Sequence, residues 1–231
     1  MIHVYGTKYG YTQNPGLWRA LSLSAQACGV TVHGYGDEQE GFPTHYYQAK
    51  ITDMIRYLET VDSKYVLYVD TRDSMFTRWS EEDALEALKC YGAPMLISAE
   101  KNCYPHSSLA EKYPVVTTPW KYVNAGGYIG ERDFVLDGLR KIVTHIEGTG
   151  TRIQDASDQG EWTWAYLDGM GLALDTECRL FQTLFMEESG DFSLDDHRLV
   201  NQYFPGSSPQ VLHFNGNATG IDRWLKDIHG V

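Results

Sequence analysis

Tyr65-Val66-Leu67-Tyr68-Val69-Asp70-Thr71-Arg72-Asp73 is a β-branched and aromatic run that stops on two carboxylates. A run this short and apolar predicts a central strand of a sheet covered on both faces, and the acids that follow it fall at the sheet's carboxyl edge. Open α/β sheets hold their ligands at that edge. Two carboxylates crowded there repel each other unless a cation lies between them, and oxygen ligands select Mg²⁺, Mn²⁺ or Ca²⁺ over softer metals. A divalent ion in turn attracts a diphosphate. The same residues also fit a bland arrangement in which Asp70 caps the following turn and Asp73 is solvated.

Around this strand, helical and extended patterns alternate. Residues 2–5 read as a first strand; Pro15 then opens a helix whose apolar face is Leu17, Leu21, Ala25 and Cys28 and which Gly29 ends. A second strand over 30–32 runs into a loop containing Gly34 and Gly36, and a helix with Tyr47, Ile51, Met54, Ile55 and Leu58 inward leads to the acid-ended strand. Ser80-Glu81-Glu82-Asp83 resembles a capping box opening a helix with Leu85 and Leu88 inward. Residues 94–98 read as a strand, 122–130 as a strand interrupted at Gly126-Gly127, and 134–146 as an amphipathic helix ended by Gly148. The acidic segment 187–196 reads as an exposed excursion, followed by a turn over 205–209, a last strand over 210–214 and a short helix over 221–228. This alternation predicts an α/β fold, a mostly parallel central sheet with helices on both faces, in one domain over 1–231.

Composition narrows the class. A chain of 231 residues that is 42% hydrophobic, with 16 Tyr and 6 Trp, can bury a sizeable core. No window is long and apolar enough to cross a membrane, and the first residues lack the basic and apolar segments of a signal peptide, so a soluble cytoplasmic protein is expected. Cys28, Cys90, Cys103 and Cys178 show no CxxC spacing, which favours free thiols, with Cys90 and Cys103 as a candidate disulfide. The net charge of −12, with 19 dispersed Lys and Arg residues, disfavours an extended nucleic-acid partner unless folding gathers a basic groove. Near the end of the chain, His213-Phe214-Asn215-Gly216 can bring an imidazole and backbone N–H groups to one point, which suits a metal bearing a diphosphate; a histidine hydrogen-bonded in a loop fits equally.

Six segments occur in one order: Val69-Asp70-Thr71-Arg72-Asp73, Ser98-Ala99-Glu100-Lys101-Asn102-Cys103-Tyr104-Pro105, Tyr122-Val123-Asn124-Ala125-Gly126-Gly127-Tyr128-Ile129-Gly130, Asp158-Gln159, Leu174-Asp175 with Phe181-Gln182, and His213-Phe214-Asn215-Gly216. Together, over residues 34–216, they resemble the glycosyltransferase domain of the procollagen lysyl hydroxylase family. The resemblance implies a GT-A fold with a nucleotide-binding half over 1–90 and an acceptor half over 91–231. It implies that Asp70, Asp73 and His213 hold Mn²⁺ against a UDP-sugar, a mixed carboxylate and imidazole set that Mn²⁺ tolerates better than Mg²⁺.

The same resemblance assigns the other matched residues. Lys50 faces the UDP, unless it is a surface lysine of its amphipathic helix; Thr7 hydrogen-bonds uracil or ribose, and Arg72 stands where relatives carry an aromatic residue that stacks on uracil. Asn215 and Gly216 contact the diphosphate. Asn124 and Gly126-Gly127 border the sugar, although Gly-Gly also fits a bulge. Asp158 and Gln159 match the end of an acidic run and face donor sugar or acceptor; they and Asn124 are the catalytic candidates, with Asp155 second to Asp158, which could also cap the helix containing Trp162 and Tyr166. Glu100 and Tyr104 line the donor or acceptor site. Trp120, Trp162, Trp164 and Trp224 are further sugar-packing candidates or, more simply, core.

The implied activity is Mn²⁺-dependent transfer of a hexose, glucose or galactose, from UDP to an acceptor hydroxyl with retention of configuration. A hydroxylysine-type residue, another sugar or a hydroxymethylated nucleobase could supply that hydroxyl, the last against the charge balance. Two other classes fit the same motifs: a UDP-sugar-binding module without turnover, and a UDP-sugar hydrolase.

Overall fold

The computed structural model describes residues 1–9, 15–36, 46–153, 156–185, 191–195, 198–216 and 220–231. In chain order its strands are β1 (Ile2–Thr7), β2 (His33–Tyr35), β3 (Tyr65–Val69), β4 (Ser74–Phe76), β5 (Met95–Glu100), β6 (Tyr122–Glu131), β7 (Ala173–Leu174), β8 (Phe181–Thr183), β9 (Phe192–Asp195), β10 (Arg198–Asn201) and β11 (Val211–His213). Its α-helices are α1 (Arg19–Ala27), α2 (Tyr46–Leu58), α3 (Glu81–Cys90), α4 (Arg132–Gly148), α5 (Asp158–Leu167) and α6 (Ile221–His229).

The main sheet has the order β2-β1-β3-β6-β5-β7. β1 pairs parallel with β2 and β3, and β5 with β7, while β6 runs against both of its neighbours. The acid-ended strand β3 is central, as its composition predicts. Strand alternation sends its side chains to opposite faces: Val66 and Tyr68 join one apolar cluster with Met54 of α2, Leu139 of α4 and Trp162 of α5. Leu67 and Val69 join another with Leu21 of α1 and Leu88 of α3. Helices therefore cover both faces, which is why β3 reads as a continuous apolar run.

Three expectations shift. The second strand is His33–Tyr35, not residues 30–32. Gly29 adopts a left-handed φ of 69° after α1, and the Val30 N–H returns to the Ala25 carbonyl at 2.8 Å, so the chain reaches the register of β1 only at His33. β6 is a continuous strand, yet Ile97 pairs with Tyr128 and Ala99 with Val123, so residues 124–127 bulge opposite Ser98. In the predicted excursion, Phe192–Asp195 is instead a strand paired with Arg198–Asn201; residues 187–190 and 196 lie outside those described, as do Asp155 and the side chains of Leu17 and Tyr47. All four cysteines are free thiols, Cys90 and Cys103 included. Trp120 and Trp162 are buried core, and Trp164 and Trp224 pack partly buried against it.

A second sheet, β4-β11-β8, lies beside the carboxyl end of β3. It is anchored by Asp175. This fully buried carboxylate accepts the backbone N–H groups of Arg179, Leu180 and Phe181 at 2.8, 2.9 and 2.8 Å and the Tyr91 hydroxyl at 3.1 Å, folding the chain into β8, which in turn pairs with β11. The Leu174-Asp175 and Phe181-Gln182 segments thus meet in one turn. Asp175→Ala strands those three N–H groups and should cost about 3 kcal/mol or more in a urea titration; stability equal to that of the parent would show that the turn does not depend on this carboxylate.

Candidate active site

Asp70 is the first residue past β3, and its N–H donates to the Gly126 carbonyl of the β6 bulge at 2.8 Å. Four residues on, the chain enters β4, whose Ser74 is the register partner of His213 in β11. The Phe214 N–H donates to the Asp73 carbonyl at 2.7 Å, locking this junction. Residues 140 positions apart in sequence thereby meet: Asp70, Asp73 and His213 each turn one ligand-type atom into a space where these atoms lie within 4.8 Å of one another. His213 Nε2 is 3.4 Å from Asp73 Oδ1 and 3.8 Å from Asp70 Oδ2, too far for good hydrogen bonds but within reach of a shared ion. The set fits a divalent cation that accepts carboxylate and imidazole together.

Lys50 is 5% exposed on α2 and is therefore not a surface lysine. Its Nζ lies 2.8 Å from Asp70 Oδ1 and 2.7 Å from Asp158 Oδ2, bridging the two carboxylates. Ser157 caps α5 by accepting the Gly160 N–H, so Asp158, in the first turn, is not the cap and keeps its carboxylate for Lys50. Below them Glu100, 3% exposed at the end of β5, accepts from Asn124 Nδ2 at 3.1 Å, Gln159 Nε2 at 2.7 Å and Asn215 Nδ2 at 3.0 Å. Gln159 further donates to the Tyr104 carbonyl and accepts the Ala125 N–H, and Asn215 accepts the N–H groups of Leu184 and Phe185. The bulge leaves room for the imidazole: a Cβ on Gly126 would stand 2.0 Å from His213 Cε1, and one on Gly127 would stand 2.7 Å from the Phe181 ring.

Electrostatics follow from this packing. Burial alone would raise the Asp70 carboxyl, but the Lys50 ammonium and His213 hold it below the ordinary carboxylate range. Burial would likewise lower the His213 pKa, and the Asp73 and Asp70 carboxylates outweigh it, leaving the imidazole above its usual 6.5. Burial pushes Glu100 up despite its carboxamide donors.

A cavity of about 680 Å³ opens over these groups. Lys50, Asp70, Arg72, Asp73, Glu100, Asn124, Asp158, Gln159, His213, Asn215 and Gly216 all line it, with Tyr104, itself 57% exposed, at its wall. Thr7 does not. It is 2% exposed at the end of β1, where its carbonyl accepts the Thr71 hydroxyl at 2.7 Å. Sequence reasoning missed Tyr68, whose hydroxyl donates to Asp70 Oδ1 at 2.6 Å; its place two residues before Asp70, on the same side of an extended chain, was an available signal. It also missed Asn102, Ser157 and Phe185 in the lining, the last packed against Gly216, and no local pattern announces them.

Comparison with known proteins places this geometry among relatives. The family described as "PLOD GT domain" matches residues 12–221. An uncharacterized protein of Acanthamoeba polyphaga mimivirus is 30% identical over 73% of this chain and 35% of its own length. Procollagen-lysine,2-oxoglutarate 5-dioxygenase of Drosophila melanogaster is 29% identical over 90% of this chain and 29% of its own. A multifunctional procollagen lysine hydroxylase and glycosyltransferase of Pongo abelii is 29% identical over 70% and 23%. The chain thus spans about a third or less of these relatives. The crystal structure of a glycosyltransferase involved in the glycosylation of the major capsid of PBCV-1 superposes with a TM-score of 0.53 at 9% identity, covering 97% of this chain and 98% of that one, a likeness of fold.

Two measurements test the cation site. Affinity for added Mn²⁺, followed by electron paramagnetic resonance, should be full above the His213 pKa and fall as the pH drops through it, in a window that begins above 6.5, because protonation removes the Nε2 lone pair; a flat profile down to pH 5 would exclude the imidazole as a ligand. Gly126→Ala should displace the ring and weaken Mn²⁺ binding on the order of ten- to a hundredfold, and unchanged affinity would contradict the packing of His213 on Gly126.

Proposed function

We propose that this chain, which belongs to the PLOD GT domain family, is a metal-dependent glycosyltransferase that moves a hexose, glucose or galactose, from a UDP-sugar to an acceptor hydroxyl. The observation that carries the reading is the convergence of Asp70, Asp73 and His213 on one point of a cavity whose wall also holds Lys50 and Asp158. A divalent ion held by those three residues, Mn²⁺ by the nature of the set, would offset the charge that develops on departing UDP.

The chain's own residues supply binding and orientation. Lys50 brings a compact cation to the diphosphate side of the cavity, and Asn215 and Gly216 present side chain and backbone to the same group. Arg72, exposed at the rim, offers its guanidinium plane to the uracil. Buried Thr7 serves the nucleotide pocket through its hold on Thr71. Asp158 is the carboxylate that faces the reacting sugar. Asn124 and Gln159, whose amides are engaged by protein partners, orient the surrounding groups instead of reacting. The nucleotide-binding half over 1–90 contributes Lys50 and the aspartate pair, and the acceptor half over 91–231 contributes Asp158 and the histidine segment. Transfer proceeds with retention, the leaving diphosphate accepting the acceptor's proton.

The chain's charge bears on the acceptor. At −12 over all residues it repels a phosphate backbone, whereas the carboxylate surplus of the cavity itself would be offset by a bound divalent ion. A hydroxylysine-type residue or a sugar therefore suits the site better than a nucleobase in DNA. Four free thiols fit a reducing, cytoplasmic compartment.

UDP release from UDP-glucose and UDP-galactose, assayed with Mn²⁺ and an acceptor library, tests the reading. Asp73→Asn should lower release on the order of a hundredfold or more with the fold intact, and undiminished release would remove the metal from the mechanism. Release with water alone identifies a hydrolase, and binding without release a module. NMR of the product should show an α-linkage from the α-donor; a β-linkage overturns retention.

A further inference from the structure

We infer that Asn124, steered by Glu100 and the Gly126 N–H, is a positioning residue that holds His213 in its Nδ1–H tautomer, leaving the Nε2 lone pair directed at Asp70 and Asp73. The inference rests on the proposed reading of that triad as a cation site and adds the reason its histidine is ready for an ion.

A neutral imidazole carries one N–H, and His213 has acceptors on both sides. On the Nε2 side stand two carboxylates, at 3.4 and 3.8 Å. On the Nδ1 side stands Asn124 Oδ1, at 2.8 Å. Left to charge alone, the proton would favour the carboxylates and block the one atom that faces them. Geometry decides otherwise, because only the Asn124 contact has hydrogen-bond length.

That contact has the stated polarity only if the Asn124 amide is not reversed, and two neighbours forbid reversal. The Gly126 backbone N–H, a donor that cannot become an acceptor, points at Asn124 Oδ1 at 3.0 Å. The Glu100 carboxylate takes the Asn124 Nδ2 at 3.1 Å. Flipping the amide would set N–H against N–H on one side and oxygen against oxygen on the other, both buried, at a cost far above that of moving a tautomeric proton. Asn124 Oδ1 is therefore an acceptor, and the ring nitrogen facing it is the donor. The Gly126-Gly127 bulge supplies both the N–H and the space for the ring.

The test reads the proton directly. ¹⁵N NMR of histidine-labelled, metal-free protein, on the alkaline side of the His213 titration, should show a protonated Nδ1 and a pyridine-type Nε2. In Asn124→Leu, close in size but unable to accept, the proton should move to Nε2, and Mn²⁺ affinity should fall on the order of ten- to a hundredfold. Asn124→Asp, sharing one proton with Glu100, keeps the acceptor and should restore both the tautomer and the affinity. A wild-type spectrum with Nε2–H overturns the inference whether or not the variants fold, as does an unmoved tautomer in folded Asn124→Leu. Nδ1–H in the wild type without Mn²⁺ binding supports the positioning role and sinks the cation reading instead.

Discussion

The register of β11 on β4 is the constraint from which the site follows. His213 sits opposite Ser74, so its ring can only fall beside Asp73, and the Phe214 N–H on the Asp73 carbonyl prevents a slip of the pair. A shift by one residue would turn the imidazole to the other face of this small sheet and abolish the triad. The register is supported from the other side of β11 by β8, and hence by the buried Asp175 carboxylate that folds residues 175–181. Asp175, outside the cavity lining, thus helps set where His213 stands.

Within the cavity, buried charge is tolerated because every group has an opposite or a donor at hand. Lys50, almost wholly buried, is paired twice, with Asp70 on one side and Asp158 on the other. Its two contacts also link Asp70 of the triad to Asp158, so the two carboxylates share one lysine. Glu100 plays the reciprocal part for neutral groups. One buried carboxylate fixes the direction of three carboxamides, whose oxygens accept backbone N–H groups of the β6 bulge (Asn124, Gln159) and of residues 184 and 185 (Asn215).

How much of this was legible in the sequence depends on range. The strand 65–69 and the acids after it were plain, because an apolar run ending in charge has few other uses in an α/β chain. The helices were plain where apolar spacing and caps agreed, as at Ser80, which accepts the Asp83 N–H. Val30 and Val32 misled because β-branched residues also pack against a neighbouring helix, and only the pairing register separates the cases. The hairpin of β9 and β10 was illegible in an acidic segment: its ladder is made by partners, not by propensity. The cavity-lining set was reached through the order of motifs across the chain, since no spacing rule connects Asp73 with His213. Roles inside the set were harder to read. Asn124 and Gln159 stand where reactive residues would, and only the count of their hydrogen bonds shows them engaged in holding others.

The reversed strand explains why so much of the site comes from one element. In a wholly parallel sheet, the strand between β3 and β5 would offer the carboxyl edge only its last residues. β6 runs the other way, entering at that edge, so its first half passes along the cavity floor before the strand descends into the core. The bulge falls within this half. Asn124 faces Glu100 and His213, Ala125 and Gly126 donate their N–H groups to Gln159 and Asn124, and the Gly126 carbonyl accepts from Asp70. Five ladder positions between β6 and β3, residues 127–131, then lock the second half. A flat ladder through 124–127 would spend those backbone groups on β5, leaving neither the amide orientation nor the space that His213 requires.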